Sequence, residues 1–191
     1  MNRGVDLRIV KTKNKLRGAF AKMMQTRSFD DITVFDLCDE AEVRRATFYR
    51  HYTDKYHFLS CMVSTILEEI VEKVGTIEQN ENPIEYYCNY VKEVIEYCKF
   101  KNSLMKNVIE SSAFSTVKDI VLHGTLSSFK HDLLQSLGNG SELPARVDIL
   151  SEFLNGGIAH IVILWLTNDN VSDDAVIEAV RSLLTKLLPD T

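Results

Sequence analysis

Apolar residues recur along this chain at helical spacing, and no segment alternates in the manner of a strand. From Leu7 to about Thr26, Ile9, Leu16, Ala19, Phe20 and Met23 share one side, with Lys11, Lys13, Lys15, Arg17 and Lys22 mostly on the others, which predicts a first helix. Ser28-Phe29-Asp30-Asp31 breaks it, and Phe29 and Ile32 are expected to join Phe20, Leu37 and Phe48 in a small core. Val34, Leu37, Cys38 and Ala41 form the stripe of a second helix. Thr33 is placed as its N-cap, and Asp36 completes a capping-box pattern. Glu42-Val43 makes a turn with Val43 pointing inward, and a short third helix runs from Arg44 to Tyr52. Thr53-Asp54 caps a long fourth helix from about Lys55 to Val74, which stops at Gly75.

After a polar linker at 75–82, Asn82-Pro83-Ile84-Glu85 is a strong helix start: N-cap, Pro at N1, Glu at N3. That helix runs to about Phe100 and buries Tyr87, Val91, Val94, Ile95 and Cys98. A short helix over about Ser103–Glu110 and a longer one over about Ser115–Leu137 follow, then a loop at Gly138-Asn139-Gly140-Ser141. Pro144 opens a helix to about Thr167, apolar on many faces from Ile149 to Leu166. Ser172 caps the last helix, whose stripe is Val176, Val180, Leu183, Leu184 and Leu187. The fold class is therefore all-α, with about nine helices. A three-helix helix-turn-helix domain is expected over 1–55 and a second helical domain over 56–191. The fourth helix leaves its first turn with the former, so it is the natural lever between the two.

Composition agrees: 8 Gly and 3 Pro are too few for a turn-rich β fold. No run of 18 apolar residues predicts a membrane span, and the basic N-terminus lacks the apolar stretch of a secretory signal. Cys38, Cys61, Cys88 and Cys98 lie at helical positions without a C-x-x-C pair, as reduced thiols in a cytoplasm would. The net charge of −5 hides an asymmetry: residues 1–60 hold 12 Lys/Arg against 8 Asp/Glu, and residues 61–191 hold 10 against 19. A basic end on an acidic body suits a protein with one end facing a polyanion. That end coincides with the third helix, where Arg44, Arg45, Thr47, Tyr49, Arg50 and His51 crowd together. Such a helix suits a DNA major groove, with phosphates on its walls and base edges on its floor. Arg44, Arg45 and Arg50 are the candidates for base edges, because arginine reads guanine through two parallel bonds.

The string from Ile32 to Lys55, with T-V-F-D-L-C, R-R-A-T-F-Y-R-H-Y and D-K at fixed spacing, resembles the DNA-binding domain of the TetR/AcrR family of transcriptional regulators. The resemblance covers about the first 70 residues. It implies backbone phosphate contacts from Thr33, Thr47, Tyr49, His51 and Lys55, although Tyr49 and His51 taken alone read as readily as core groups or chance surface residues as they do as contacts. Two positions depart from the family pattern. Glu42 stands where glycine is usual, so it must take a left-handed conformation at a cost of about 1 kcal/mol or more. Arg44 stands where a small capping residue is usual and cannot cap the helix that follows.

For the body, the resemblance implies a pocket for a small, largely apolar effector of unknown identity. Its candidates are Tyr90, Phe100, Met105, Phe114, His123, Phe129, His160 and Trp165, most of which serve equally well as core. A homodimer is expected because two recognition helices one turn of DNA apart read a palindrome. Phe153, Gly157, Ile161, Leu164, Val180, Leu184 and Leu187 are the candidates for its interface. No nucleophile elbow, phosphate loop, H-E-x-x-H or paired-carboxylate motif is present, so the chain reads as no enzyme and with no metal or cofactor. The function expected is a ligand-responsive regulator of transcription, a repressor, binding double-stranded DNA. The alternative is a related coactivator or protein-interaction module that lacks an inducer or has lost DNA binding.

Overall fold

The apolar stripes close into helices throughout the computed structural model, which describes residues 7–76, 78–80, 82–124 and 145–188. Among these residues there are nine α-helices and no strand: α1 (Leu7–Met23), α2 (Val34–Glu40), α3 (Arg45–Tyr49), α4 (Lys55–Val74), α5 (Pro83–Phe100), α6 (Asn102–Ile109), α7 (Ala113–Gly124), α8 (Val147–Thr167) and α9 (Asp173–Leu187). Single 3₁₀ turns occupy Phe29–Asp31 and Glu78–Asn80. The chain is all-α, as its periodicity predicts. It divides into two compact units, one made of Met1–Val63 with Lys101–Val117 and the other of Ser64–Phe100 with Lys118–Thr191.

In the first unit α1 buries Leu16, Ala19, Phe20 and Met23, four positions of one helical face, and packs on α2. Ile9, expected on that face, is partly exposed because it lies beyond the reach of the core. The helix ends three residues before Thr26, where the Gln25 and Thr26 amides turn to the carbonyls three residues back, and the Asn107 side-chain amide from α6 donates to the Met24 carbonyl. Phe20, Phe29, Phe48 and Phe58 are all at most 1% exposed. Their rings meet edge-on or tilted, with centroids 5.4 Å apart for Phe20–Phe58 and 6.1 Å for Phe48–Phe58. Tyr52 closes the cluster at 5.2 Å from Phe48. Each such pair adds about 0.5–1.5 kcal/mol beyond area burial, so the short helices stand on a stiff base. Residues 101–117 join this unit through polar bonds as well. Ser112 donates to the Asp30 carboxylate from both its hydroxyl and its amide, and that hydroxyl meets Tyr56 Oη at 3.1 Å. The Ser112 bonds hold the Asp30 carboxyl below its ordinary range.

In the second unit α5 buries Tyr86, Tyr87, Tyr90, Val91 and Ile95 and packs on α9 and α8. Asn82 Oδ1 accepts from the Glu85 amide at 3.0 Å, the cap that the Asn-Pro start predicts. Arg181 grips Glu85 with two nitrogens, and Asp173 accepts from Lys99 at 2.6 Å and from the Trp165 indole at 3.0 Å. Lys99 is the main reason the Asp173 carboxyl lies below its ordinary range. The helix expected from Ser115 begins at Ala113; its far end and the Gly138–Ser141 loop lie outside the described residues. By length and a hydropathy of 1.6, α8 alone among the described helices could cross a membrane, a property not evident from uninterrupted apolar runs. The cause is its double duty. Leu150, Leu154, Ile158, Ala159 and Val162 fill the core, while Ile149, Phe153 and Leu164 are also apolar but stand exposed.

Candidate nucleic-acid interface

Two capping devices fix the angle between α2 and α3. At the start of α2, Thr33 Oγ1 accepts from the Asp36 amide at 3.1 Å, and Asp36 Oδ2 accepts from the Thr33 amide at 3.1 Å, the reciprocal capping box. The Thr33 hydroxyl proton also goes to Asp36, at 2.7 Å, and the Arg27 guanidinium lies 3.2 Å from the same oxygen. These donors, Thr33 first, hold the Asp36 carboxyl below its ordinary range. At the end of α2, the Val43 amide reaches back to Cys38 O at 2.9 Å and the Glu42 amide to Asp39 O at 3.0 Å. This is the paired bonding of a Schellman ending, whose C′ residue must be left-handed. Glu42 is that residue, with φ 52°, the one non-glycine at positive φ among the described residues. Val43 is half-buried where the next helix begins, as its position in the turn predicts.

Arg44 is the N-cap of α3 by backbone angle, φ −65° and ψ 136°, but its side chain caps nothing. The helix is held instead by Phe48, which sinks into the aromatic core and leaves Arg44, Arg45, Tyr49 and Arg50 exposed around it. Tyr49 is 56% exposed, its ring edge-on to Phe48 at 5.4 Å. Arg50 Nη2 donates to Thr47 Oγ1 at 3.3 Å, and Arg45 Cζ lies 5.5 Å from the centroid of Phe35 on α2. Thr47 and His51 are half-buried flanks. One short helix thus presents three guanidinium groups and a phenol to solvent, on a stem that burial makes rigid.

Lys55, expected at a phosphate, also makes contacts within the chain. Its ammonium donates to the carbonyls of Phe29, Asp30 and Ile32 at 3.0, 3.1 and 3.0 Å, and lies over the Phe29 ring at 4.6 Å. A lysine has three protons, and all three are spent on the 3₁₀ turn. Lys55 therefore fastens the start of α4 to that turn, and a phosphate would have to displace one of these bonds.

The residues expected to line a pocket are drawn from both units. Met105 and Phe114 belong to the first unit, and Tyr90 is core in the second. His160 is exposed with Nδ1 2.8 Å from Gly156 O, and Trp165 is bonded to Asp173. Phe129 and the side chain of His123 lie outside the described residues. Phe100, 81% exposed, does line an open groove of about 340 Å³ between α4 and α5. Ile66, Ile70 and Tyr97 complete its apolar walls, with Glu69, Lys73, Glu93 and Glu96 around it. Sequence reading missed this groove because its two walls are separate amphipathic stripes, each of which reads as core.

Of the interface candidates, Phe153, Gly157 and Leu164 are exposed, and Ile161 and Leu187 are half-buried. Val180 and Leu184 are only 1% and 2% exposed, so they are not available to a partner. Their face of α9 packs on the chain's own α5, and periodicity cannot tell which helix will cover a stripe. Leu183, 49% exposed, is the apolar residue that α9 turns outward.

No family model matches the chain. It is 33% identical over 79 residues to the HTH-type transcriptional regulator YxbF of Bacillus subtilis, a match spanning 41% of this chain and 20% of that protein. Among solved structures it resembles a TetR-family transcriptional regulator from Syntrophomonas wolfei at 15% identity, covering 92% of this chain and 94% of the other with a TM-score of 0.68. The fatty acid degradation regulator FadR of Bacillus halodurans matches at 16% identity over 91% and 94% of the two chains, TM-score 0.62. A TetR-family regulator of Haemophilus influenzae matches at 16% over 91% and 96%, TM-score 0.54.

Proposed function

We propose that this chain, which has the fold of the TetR-family transcriptional regulators, represses transcription by binding a palindromic operator as a homodimer and releases it when a small effector binds. The observation that carries the reading is α3 itself: Arg44, Arg45, Tyr49 and Arg50 exposed on one short helix whose remaining large side chain is fully buried. A solvated surface needs charge but not a phenol and three arginines on a fixed stem, whereas a groove needs both phosphate donors and flat bidentate readers. Tyr49, Thr47 and His51 would position the helix on phosphates, and the arginines would face base edges. Lys55 acts from behind, holding the 3₁₀ turn.

The homodimer reading rests on Ile149, Phe153 and Leu164, which with Gly157 run along the outer side of α8. A Cβ added at Gly156 or Gly157 would meet nothing within 4 Å, so both leave room for a second helix to approach. Leu183 is a further exposed apolar residue, on α9. The groove at Phe100 has the volume of a small-ligand site and is the candidate place for the effector. The test is an electrophoretic shift with the DNA upstream of the chain's own gene. Retarded DNA, competed by unlabelled operator and not by random duplex, is the expected result; folded protein that shifts neither would refute the reading.

A further inference from the structure

Phe35 is 59% exposed in the first unit, and nothing in the core requires it. On α2 the inward stripe is Val34, Leu37, Cys38 and Ala41, and Phe35 lies off it, two residues past the N-cap. A single exposed apolar side chain is ordinary on a protein surface, so any role for this ring rests on what it touches. What it touches is Arg45: the guanidinium carbon lies 5.5 Å from the ring centroid. Arg45 is the first residue of α3; of the two arginines that flank the helix, Arg44 is its N-cap and Arg50 is tied to Thr47 Oγ1.

A guanidinium over an aromatic face is restrained in direction but keeps its in-plane N–H donors free. Those donors are the ones that bond guanine O6 and N7 side by side. We infer that Phe35 is a positioning residue for base reading: its ring aims Arg45 at one guanine of the operator, and α2 thereby helps set specificity. This inference rests on the proposal that α3 binds DNA, and it adds which arginine discriminates and what holds it there. A phosphate contact would not need such restraint, because a phosphate accepts a charge from many directions.

The experiment is selection of binding sites from a randomised duplex pool, by the full chain, followed by sequencing. Wild type, Phe35→Leu, Phe35→Tyr, Arg45→Ala and the Phe35→Leu/Arg45→Ala double variant are compared. Phe35→Leu keeps apolar bulk and loses the π face; since the site is exposed, circular dichroism should show an unchanged helix content. Wild type is expected to prefer guanine at a position where Arg45→Ala has no preference. Phe35→Leu should reduce that preference about two- to fivefold, the effect of losing an exposed cation–π contact, and leave the other positions alone. Phe35→Tyr should retain it, and in the Arg45→Ala background Phe35→Leu should change nothing. If Phe35→Leu weakens all sequences equally, or leaves the guanine preference intact, the positioning role is wrong while DNA binding stands. If wild type selects no sequence at all, both readings fall together.

Discussion

Replacing Glu42 by glycine, and separately by alanine, isolates the strain at the centre of the helix-turn-helix. Glu42 holds φ 52° in a Schellman ending, where an L-residue pays about 1–2 kcal/mol for its Cβ and glycine pays none. Its carboxylate also meets Lys15 Nζ at 3.0 Å, but the two side chains are 82% and 53% exposed. In water that pair contributes about 0–0.5 kcal/mol. Both variants lose the ion pair, so their difference reports the backbone alone. Glycine regains the strain but gives about 0.4–1 kcal/mol back through a freer unfolded chain. Glu42→Gly should therefore exceed Glu42→Ala by roughly 0.5–1 kcal/mol, while Glu42→Ala lies within about 0.5 kcal/mol of wild type. Urea unfolding followed by circular dichroism at fixed m-value measures it, and thermal midpoints should differ by about 1–4 °C. If the alanine variant equals or exceeds the glycine variant, residue 42 is not held left-handed, and the turn described here is wrong.

Other substitutions test other parts. Lys55→Met should cost about 2–3 kcal/mol, because three carbonyls lose a charged donor; an unchanged urea midpoint with weakened DNA binding would restore Lys55 to the phosphate contacts. Burial pushes the Cys88 and Cys98 thiols up to about 11 and about 12. Few thiolates form at pH 8, so both should resist a thiol reagent until denaturant is added; rapid labelling of the native chain would contradict their burial. Phe153→Asp and Leu164→Asp should yield a folded 21.8 kDa monomer in sedimentation where wild type is twice that mass, whereas Leu184→Asp should unfold the second unit because Leu184 is core. A wild-type monomer at micromolar concentration would refute the dimer.

The chain's local signals carried the helix starts in both units. Thr33 with Asp36, Asp54 before Lys55, Asn82-Pro83 and Ser172 all cap where their spacing places them, because a cap needs only neighbours in sequence. Glu42 was legible for the same reason, as a residue left where the turn demands positive φ. Long-range choices were not legible. Asn107 and Ser112 bind the turn after α1 across some 80 residues, and nothing in their own segment announces it. The three carbonyls that Lys55 meets, 23 to 26 residues away, were equally invisible beside its charge. Val180 and Leu184 belonged to a clear stripe, yet a stripe says which residues share a face and leaves open which helix covers it. Phe35 escaped notice because an exposed phenylalanine acquires meaning only once Arg45 is seen above it.

Fluorescence anisotropy of a labelled duplex from the chain's own upstream region, titrated with wild type and with Arg44→Ala/Arg45→Ala/Arg50→Ala, asks whether α3 is the helix that reads DNA. All three arginines are exposed, so the triple variant should keep its helix content and urea midpoint. Wild type should bind with an affinity whose logarithm falls against log salt by about 0.9 per phosphate contact, and the triple variant should lose all preference for that duplex over random DNA. A triple variant that still binds its duplex as tightly and as selectively as wild type would show that α3 is not the helix that reads DNA.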